Sequence, residues 1–139
     1  ILYLHGGAYN MGSPMSHLGL VSQIVSRLGA TATVIDYRLA PEHPYPAAIQ
    51  DCLAAYRALL AEVEPSSLVV AGDSAGGGAT LATMVGARDA GDPLPACLYL
   101  LSPWTDLTLS GESHETKRSV DPLIPRAGIE GHLKLMDDM

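Results

Sequence analysis

The chain has 139 residues, 47% of them hydrophobic and 17% charged, a balance suited to one globular domain with an apolar core. Its formal charge of -7 comes from scattered acidic residues with no basic run, which argues against a nucleic-acid or anionic-membrane partner and favours a neutral small molecule. No apolar run approaches the roughly 18 residues of a membrane span and no secretory leader is visible, so a cytoplasmic protein is expected.

Residues 1–4, Ile-Leu-Tyr-Leu, predict a short buried strand, and a glycine-rich loop follows over 6–13. Leu18, Val21, Ile24, Val25 and Leu28 recur at helical spacing and predict a helix over 18–28. The β-branched stretch 31–37 reads as a second strand, and the three prolines of 38–46 forbid a regular helix or central strand there. An Ala/Leu-rich helix is expected over 47–62, a third strand over 68–71, a helix over 75–88, a breaker over 91–95 and a fourth strand over 96–101. From 102 onward the chain reads as irregular, with short helices near 123–139. Alternating strands and helices of this kind specify the α/β class, with a mostly parallel sheet and flanking helices. Cys52 and Cys97 lie in apolar surroundings without metal-ligand or redox spacing, and both are expected to be core thiols.

Gly72-Asp-Ser74-Ala-Gly76 fits Gly-x-Ser-x-Gly between an apolar strand and a helix. That setting suits a strained strand-to-helix turn that lifts a serine hydroxyl to the carboxyl end of the sheet. Two other readings fit the same letters: a turn in which Asp73 or Ser74 caps a helix, and a phosphate loop, although no Gly-Lys-Ser/Thr follows. His5-Gly-Gly-Ala8, at the end of the first strand, separates them. Acyl transfer places negative charge on a carbonyl oxygen, and a glycine-rich loop after a strand can turn several N–H groups toward it. The N–H after the serine, that of Ala75, serves the same oxygen.

With these motifs together the chain resembles the hormone-sensitive-lipase-like (family IV, GDXG) esterases of the α/β-hydrolase fold. The matching stretches are ILYLHGGAYNMGSPMSH (1–17), DYRLAPEHPYPAAIQDC (36–52), VAGDSAGGG (70–78) and LLSPWTDLTLSG (100–111). The resemblance implies a partial α/β-hydrolase fold with about four core strands, and residues 107–139 as a lid-region segment. It makes Ser74 the nucleophile and places the oxyanion hole on Gly6, Gly7, Ala8 and Ala75, with the Gly7, Ala8 and Ala75 N–H groups as donors. Position 8 is alanine where many members have glycine, which a backbone donor tolerates. His5 is expected to hold the oxyanion loop rather than act as a base, and Glu42, Asp51 and Asp73 to be hydrogen-bonding carboxylates outside the chemistry. The implied reaction is carboxylic-ester hydrolysis on short acyl chains, with no metal or organic cofactor, and a homo-oligomer is compatible with it.

In this fold the serine is followed by the acid and then the histidine. Only His114 and His132 follow Ser74, and the best strand-end acid is Asp106, so the pair Asp106/His114 has the required order. Asp106, however, falls in a segment that the family passes before its acid, and His114 sits in a polar stretch. Asp121-Pro-Leu123 imitates the family's acid motif but follows no apolar strand, and reads better as a helix start with proline in the first turn. The chain also opens on Ile1 in mid-strand. The expectation is an internal fragment, inactive alone, whose acid and histidine lie outside it. Two rival readings are a non-catalytic small-molecule binder of the same fold, as in the gibberellin receptors, and an amide hydrolase.

Overall fold

The computed structural model describes residues 1–137. Four strands, β1 (Leu2–Leu4), β2 (Thr33–Val34), β3 (Val69–Asp73) and β4 (Cys97–Leu101), form one parallel sheet in the order β2-β1-β3-β4. The helices are α1 (Pro14–Leu28), α2 (Ala47–Leu60), α3 (Ala75–Ala90), α4 (Ser113–Thr116) and α5 (Arg126–Asp137), with a 3-10 turn at Pro65–Ser67.

β1 is completely buried, and its alternation sorts the two faces. Leu2 and Leu4 join Val70, Cys52, Tyr56, Ala79 and Met84 in the main core under α2 and α3. Tyr3 points the other way, onto Val21 of α1 and Ala71. A parallel sheet needs cover on both faces because its crossovers place helices there. The order of strands also fixes where a ligand can enter. The chain runs from β1 outward to β2 and then returns to the far side of β1 as β3. The direction of winding therefore reverses between β1 and β3, and the loops leaving their carboxyl ends flank a crevice. Those loops begin at His5 and Ser74.

Three boundaries differ from the sequence expectation. α1 begins at Pro14 instead of 18, because Ser13 caps it: the Ser13 side chain accepts the Ser16 N–H, Ser16 Oγ accepts the Ser13 N–H, and Pro14 occupies the first turn. β2 keeps only two of the seven residues expected, since Tyr37 leaves the ladder to bury its ring and donate its hydroxyl to His5 O at 2.6 Å. α5 begins at Arg126, and the two final residues of the expected helical stretch lie outside the described residues.

Cys52 is buried, and burial pushes its thiol up to about 12. Cys97 is exposed, contrary to the expectation of two core thiols. It lies on β4, which pairs only with β3 among the described residues, so apolar character there does not imply cover. Glu42 is likewise exposed rather than semi-buried.

Asp51 behaves as expected. From α2 it grips Arg38 through the guanidinium at 2.8–3.1 Å and through the backbone N–H at 2.9 Å, tying down the 36–46 segment. The side-chain hydrogen bonds from Arg38 hold the Asp51 carboxyl below its ordinary value. A lowered folded-state value stabilises the fold above the unfolded carboxylate range, near pH 4, and this contribution is lost as pH falls through the folded value. Asp51→Asn is expected to lower the urea midpoint at pH 7 and to converge with the unsubstituted chain under strong acid. A constant gap between them across that titration would contradict the assignment.

Candidate active site

Ser74 sits between β3 and α3 with φ 50° and ψ -119°, a region that L residues rarely occupy and that costs about 1–3 kcal/mol. Three backbone hydrogen bonds hold it there. Its N–H donates to Leu101 O at 2.9 Å, and its carbonyl accepts from Trp104 N–H at 2.8 Å and Gly78 N–H at 3.1 Å. The serine is thus fixed by β4, by the loop after β4 and by the first turn of α3. Gly76 permits this geometry, because a Cβ there would overlap Leu4 O and lie 2.6 Å from His5 O. Glycine alone lets α3 press against the end of β1.

The loop after β1 approaches from the other side. Gly7, Ala8 and Tyr9 take φ values of 128°, 51° and 60°, and Gly7 O accepts the N–H groups of Asn10 and Met11. Three successive positive φ values curl the loop into a tight turn closed on Gly7 O. Among the described residues the N–H groups of Gly7, Ala8 and Ala75 have no hydrogen-bond partner. Ala75 is the first residue of α3, where an unsatisfied N–H and the positive end of the helix dipole favour an anion.

Gly6 is different from the other three residues expected to form the hole. Its N–H donates to Asp73 Oδ1 at 3.0 Å and so has no free donor to offer. His5 is fully buried, with its ring stacked 4.2 Å from that of Tyr37, and Nδ1 donates to Gly6 O at 2.8 Å. Burial lowers its pKa, which keeps the ring neutral. A neutral imidazole bonded within its own loop braces that loop.

The tail residues weighed as triad partners do not converge on Ser74. The Asp106 carboxylate is saturated by the N–H and hydroxyl groups of Thr108 and Ser110, led by the Thr108 hydroxyl, and these hold its pKa far below the carboxylate range. It organises the turn after β4. His114 stands in α4, and Asp121 accepts the N–H groups of Leu123 and Ile124 in a turn. The expected helix does not start there. His132, on α5, meets the loop after β1 through its carbonyl, which accepts from Asn10 Nδ2 at 3.5 Å. Among the described residues the hydrogen bonds of the histidine rings go to Gly6, Ser13, Ser16 and Asp73 and none to Ser74 Oγ, and no cluster of His, Cys, Asp and Glu could hold a metal ion.

An apolar cavity of about 320 Å³ is walled by Tyr9, Gly78, Leu81, Val85, Trp104 and Met136. Two of these residues, Gly78 and Trp104, are the ones whose N–H groups hold the Ser74 carbonyl. Sequence reasoning did not identify this cavity, whose walls come from five separate segments.

Residues 1–137 match the alpha/beta hydrolase fold family. The chain belongs to that family. The chain is similar to an acetyl-hydrolase of Streptomyces hygroscopicus, with 45% identity over 130 residues that cover 93% of this chain and 44% of the relative. It is 36% identical over 142 residues to an esterase of Acinetobacter venetianus, covering 100% of this chain and 47% of that protein. Among solved structures, an esterase from the bacterial hormone-sensitive lipase family superposes with a TM-score of 0.95 at 44% identity, over 98% of this chain and 46% of the other. The chain therefore spans a little under half the length of these three proteins. Among its described residues no helix is long and apolar enough to cross a membrane.

Proposed function

We propose that this chain carries the nucleophile and the oxyanion hole of a carboxylic-ester hydrolase. The observation that supports it most is the pairing of a strained Ser74 with three unpartnered N–H groups, those of Gly7, Ala8 and Ala75, from two loops on one crevice. In the proposed reaction Ser74 Oγ attacks the ester carbonyl, the alcohol leaves, and water releases the acyl group from the serine. The three N–H groups hold the oxyanion, each donor being worth about 3–4 kcal/mol where one has been removed. The base and the acid that orients it come, in this proposal, from residues beyond 139. The similarity to an acetyl-hydrolase and to esterases supports the same reading. Residues 107–139 would form part of a lid, supported by the position of Met136 on the cavity wall. A cytoplasmic setting belongs to the same reading, supported by two cysteines that are free thiols.

The cavity supports short acyl chains as substrates. Its apolar walls favour each buried methylene by about 0.8 kcal/mol. Ala82 also lines it and is exposed on α3, so a bulky side chain there fills space without entering the core. Ala82→Trp in the full chain is expected to lower kcat/KM for butyrate relative to acetate esters about tenfold, the worth of two methylenes. An unchanged ratio in matched p-nitrophenyl ester assays would mean that the acyl chain lies elsewhere. Ser74-dependent turnover of an amide at the same rate as its matched ester would replace ester hydrolysis by amide hydrolysis.

A further inference from the structure

We propose that His17, on α1, is a positioning residue for the oxyanion loop, acting through Asp73 on the peptide that leads into the Gly7 and Ala8 donors. The proposal rests on the ester-hydrolase reading above and adds a part to its machinery.

Asp73 directly precedes Ser74, yet its carboxylate is bonded across to β1. Oδ1 accepts the Gly6 N–H and the Tyr3 hydroxyl, each at 3.0 Å. His17 Nε2 lies 3.3 Å from both carboxylate oxygens, and the two side chains are only 17% and 25% exposed. Nε2 is also 3.3 Å from the Gly6 nitrogen, so ring, carboxylate and peptide form one tight cluster. The other ring nitrogen is fixed as well. Ser16 Oγ accepts the Ser13 N–H at 2.9 Å and donates to His17 Nδ1 at 2.9 Å, the tautomer that leaves Nε2–H to donate to the Asp73 carboxylate. One imidazole thereby links the capping box of α1 to the carboxylate beside the nucleophile.

The consequence falls on the donors. Gly7 and Ala8 are held in positive φ by the turn bonds to Gly7 O on one side and by the Gly6 N–H bond to Asp73 on the other. Without His17 the Asp73 carboxylate loses the donor that fixes its rotation, and its hydrogen bond from the Gly6 N–H loosens. A donor displaced by about 1 Å from the oxyanion costs on the order of 100-fold in rate. A positioning role therefore predicts a loss in kcat with KM preserved.

The test compares His17→Asn with His17→Gln in the full chain. An Asn amide nitrogen falls where Nδ1 lies and reaches Ser16 but not Asp73; a Gln amide nitrogen falls where Nε2 lies and can donate to Asp73. H17N is expected to lose about 10- to 100-fold in kcat with unchanged KM, and H17Q to recover most of it. Amide hydrogen exchange at Gly6, read by NMR, is expected to accelerate in H17N and to stay protected in H17Q. Equal kcat in the two variants, or Gly6 exchange unchanged in H17N, would overturn the proposal. Accelerated Gly6 exchange in H17N, in a chain that hydrolyses no ester even unsubstituted, would support the clamp and count against ester hydrolysis.

Discussion

Ser74→Ala is expected to reduce ester turnover by the full chain by at least about 10⁴-fold while leaving the fold and substrate binding intact. Losing the serine of a working triad costs on the order of 10⁶ in kcat, and what survives is binding and oxyanion stabilisation. The substitution removes one hydroxyl. The three backbone hydrogen bonds that hold residue 74 use its N–H and carbonyl, which alanine retains. Steady-state kinetics with p-nitrophenyl acetate, beside a thermal melt, separates loss of chemistry from loss of structure. Turnover within tenfold of the unsubstituted enzyme would move the nucleophile elsewhere. The 139 residues alone are expected to show no turnover above their own Ser74→Ala control, since among the described residues the histidine rings bond to Gly6, Ser13, Ser16 and Asp73 and not to the serine.

Gly76→Ala is the substitution with the largest expected cost in stability. Overpacking a core commonly costs about 1–3 kcal/mol when side chains can move aside. Here the added methyl group would meet the carbonyl of Leu4, the last residue of a fully buried strand paired on both sides, and that of His5 just beyond it. Those oxygens cannot rotate out of the way without breaking the register of β1 with β3, in which Leu4 pairs with Gly72. The expected destabilisation is about 3 kcal/mol or more, a large share of the roughly 5–15 kcal/mol available to a domain. It should appear in urea melts as a lowered midpoint, and in the surviving folded fraction as lost activity, because the same shift separates Ser74 from the loop after β1. A cost below about 1 kcal/mol would mean that α3 does not press on β1 as described.

Local chemistry made much of this legible. The apolar alternation of β1, the Ala/Leu content of α2 and the glycines around Ser74 each carry their cause within a few residues, and the structure keeps those elements close to their expected limits. The start of α1 was also written locally, in Ser13-Pro14 with Ser16 three residues on, but hydrophobic spacing alone points to a later start. β2 is shorter than its β-branched residues suggest because Tyr37 gains more from stacking on His5 than from staying in an edge ladder. Cys97 looks apolar and central in sequence, but exposure depends on what lies beyond β4.

At the candidate site, motif spacing pointed to Ser74, His5 and the two loops, and the structure sets those loops at the carboxyl ends of β1 and β3. It could not tell which N–H groups remain free. Gly6 belongs to the motif, yet its donor is committed to a carboxylate 67 positions away. His17 carried no signal of its own: a lone histidine on an amphipathic helix acquires meaning only when the fold sets it against Asp73, 56 positions on. The cavity is of the same kind, since residues such as Tyr9, Leu81, Trp104 and Met136 become neighbours only through the crossovers of the sheet.

The central claim is that Ser74 is an activated serine facing an oxyanion hole. A fluorophosphonate reacts preferentially with an activated serine, and its tetrahedral adduct mimics the intermediate. Mass spectrometry of the labelled, proteolysed full chain is predicted to find a single adduct, on the peptide containing Ser74, and none in the Ser74→Ala variant. An unlabelled Ser74, or an adduct on another residue, would contradict the account.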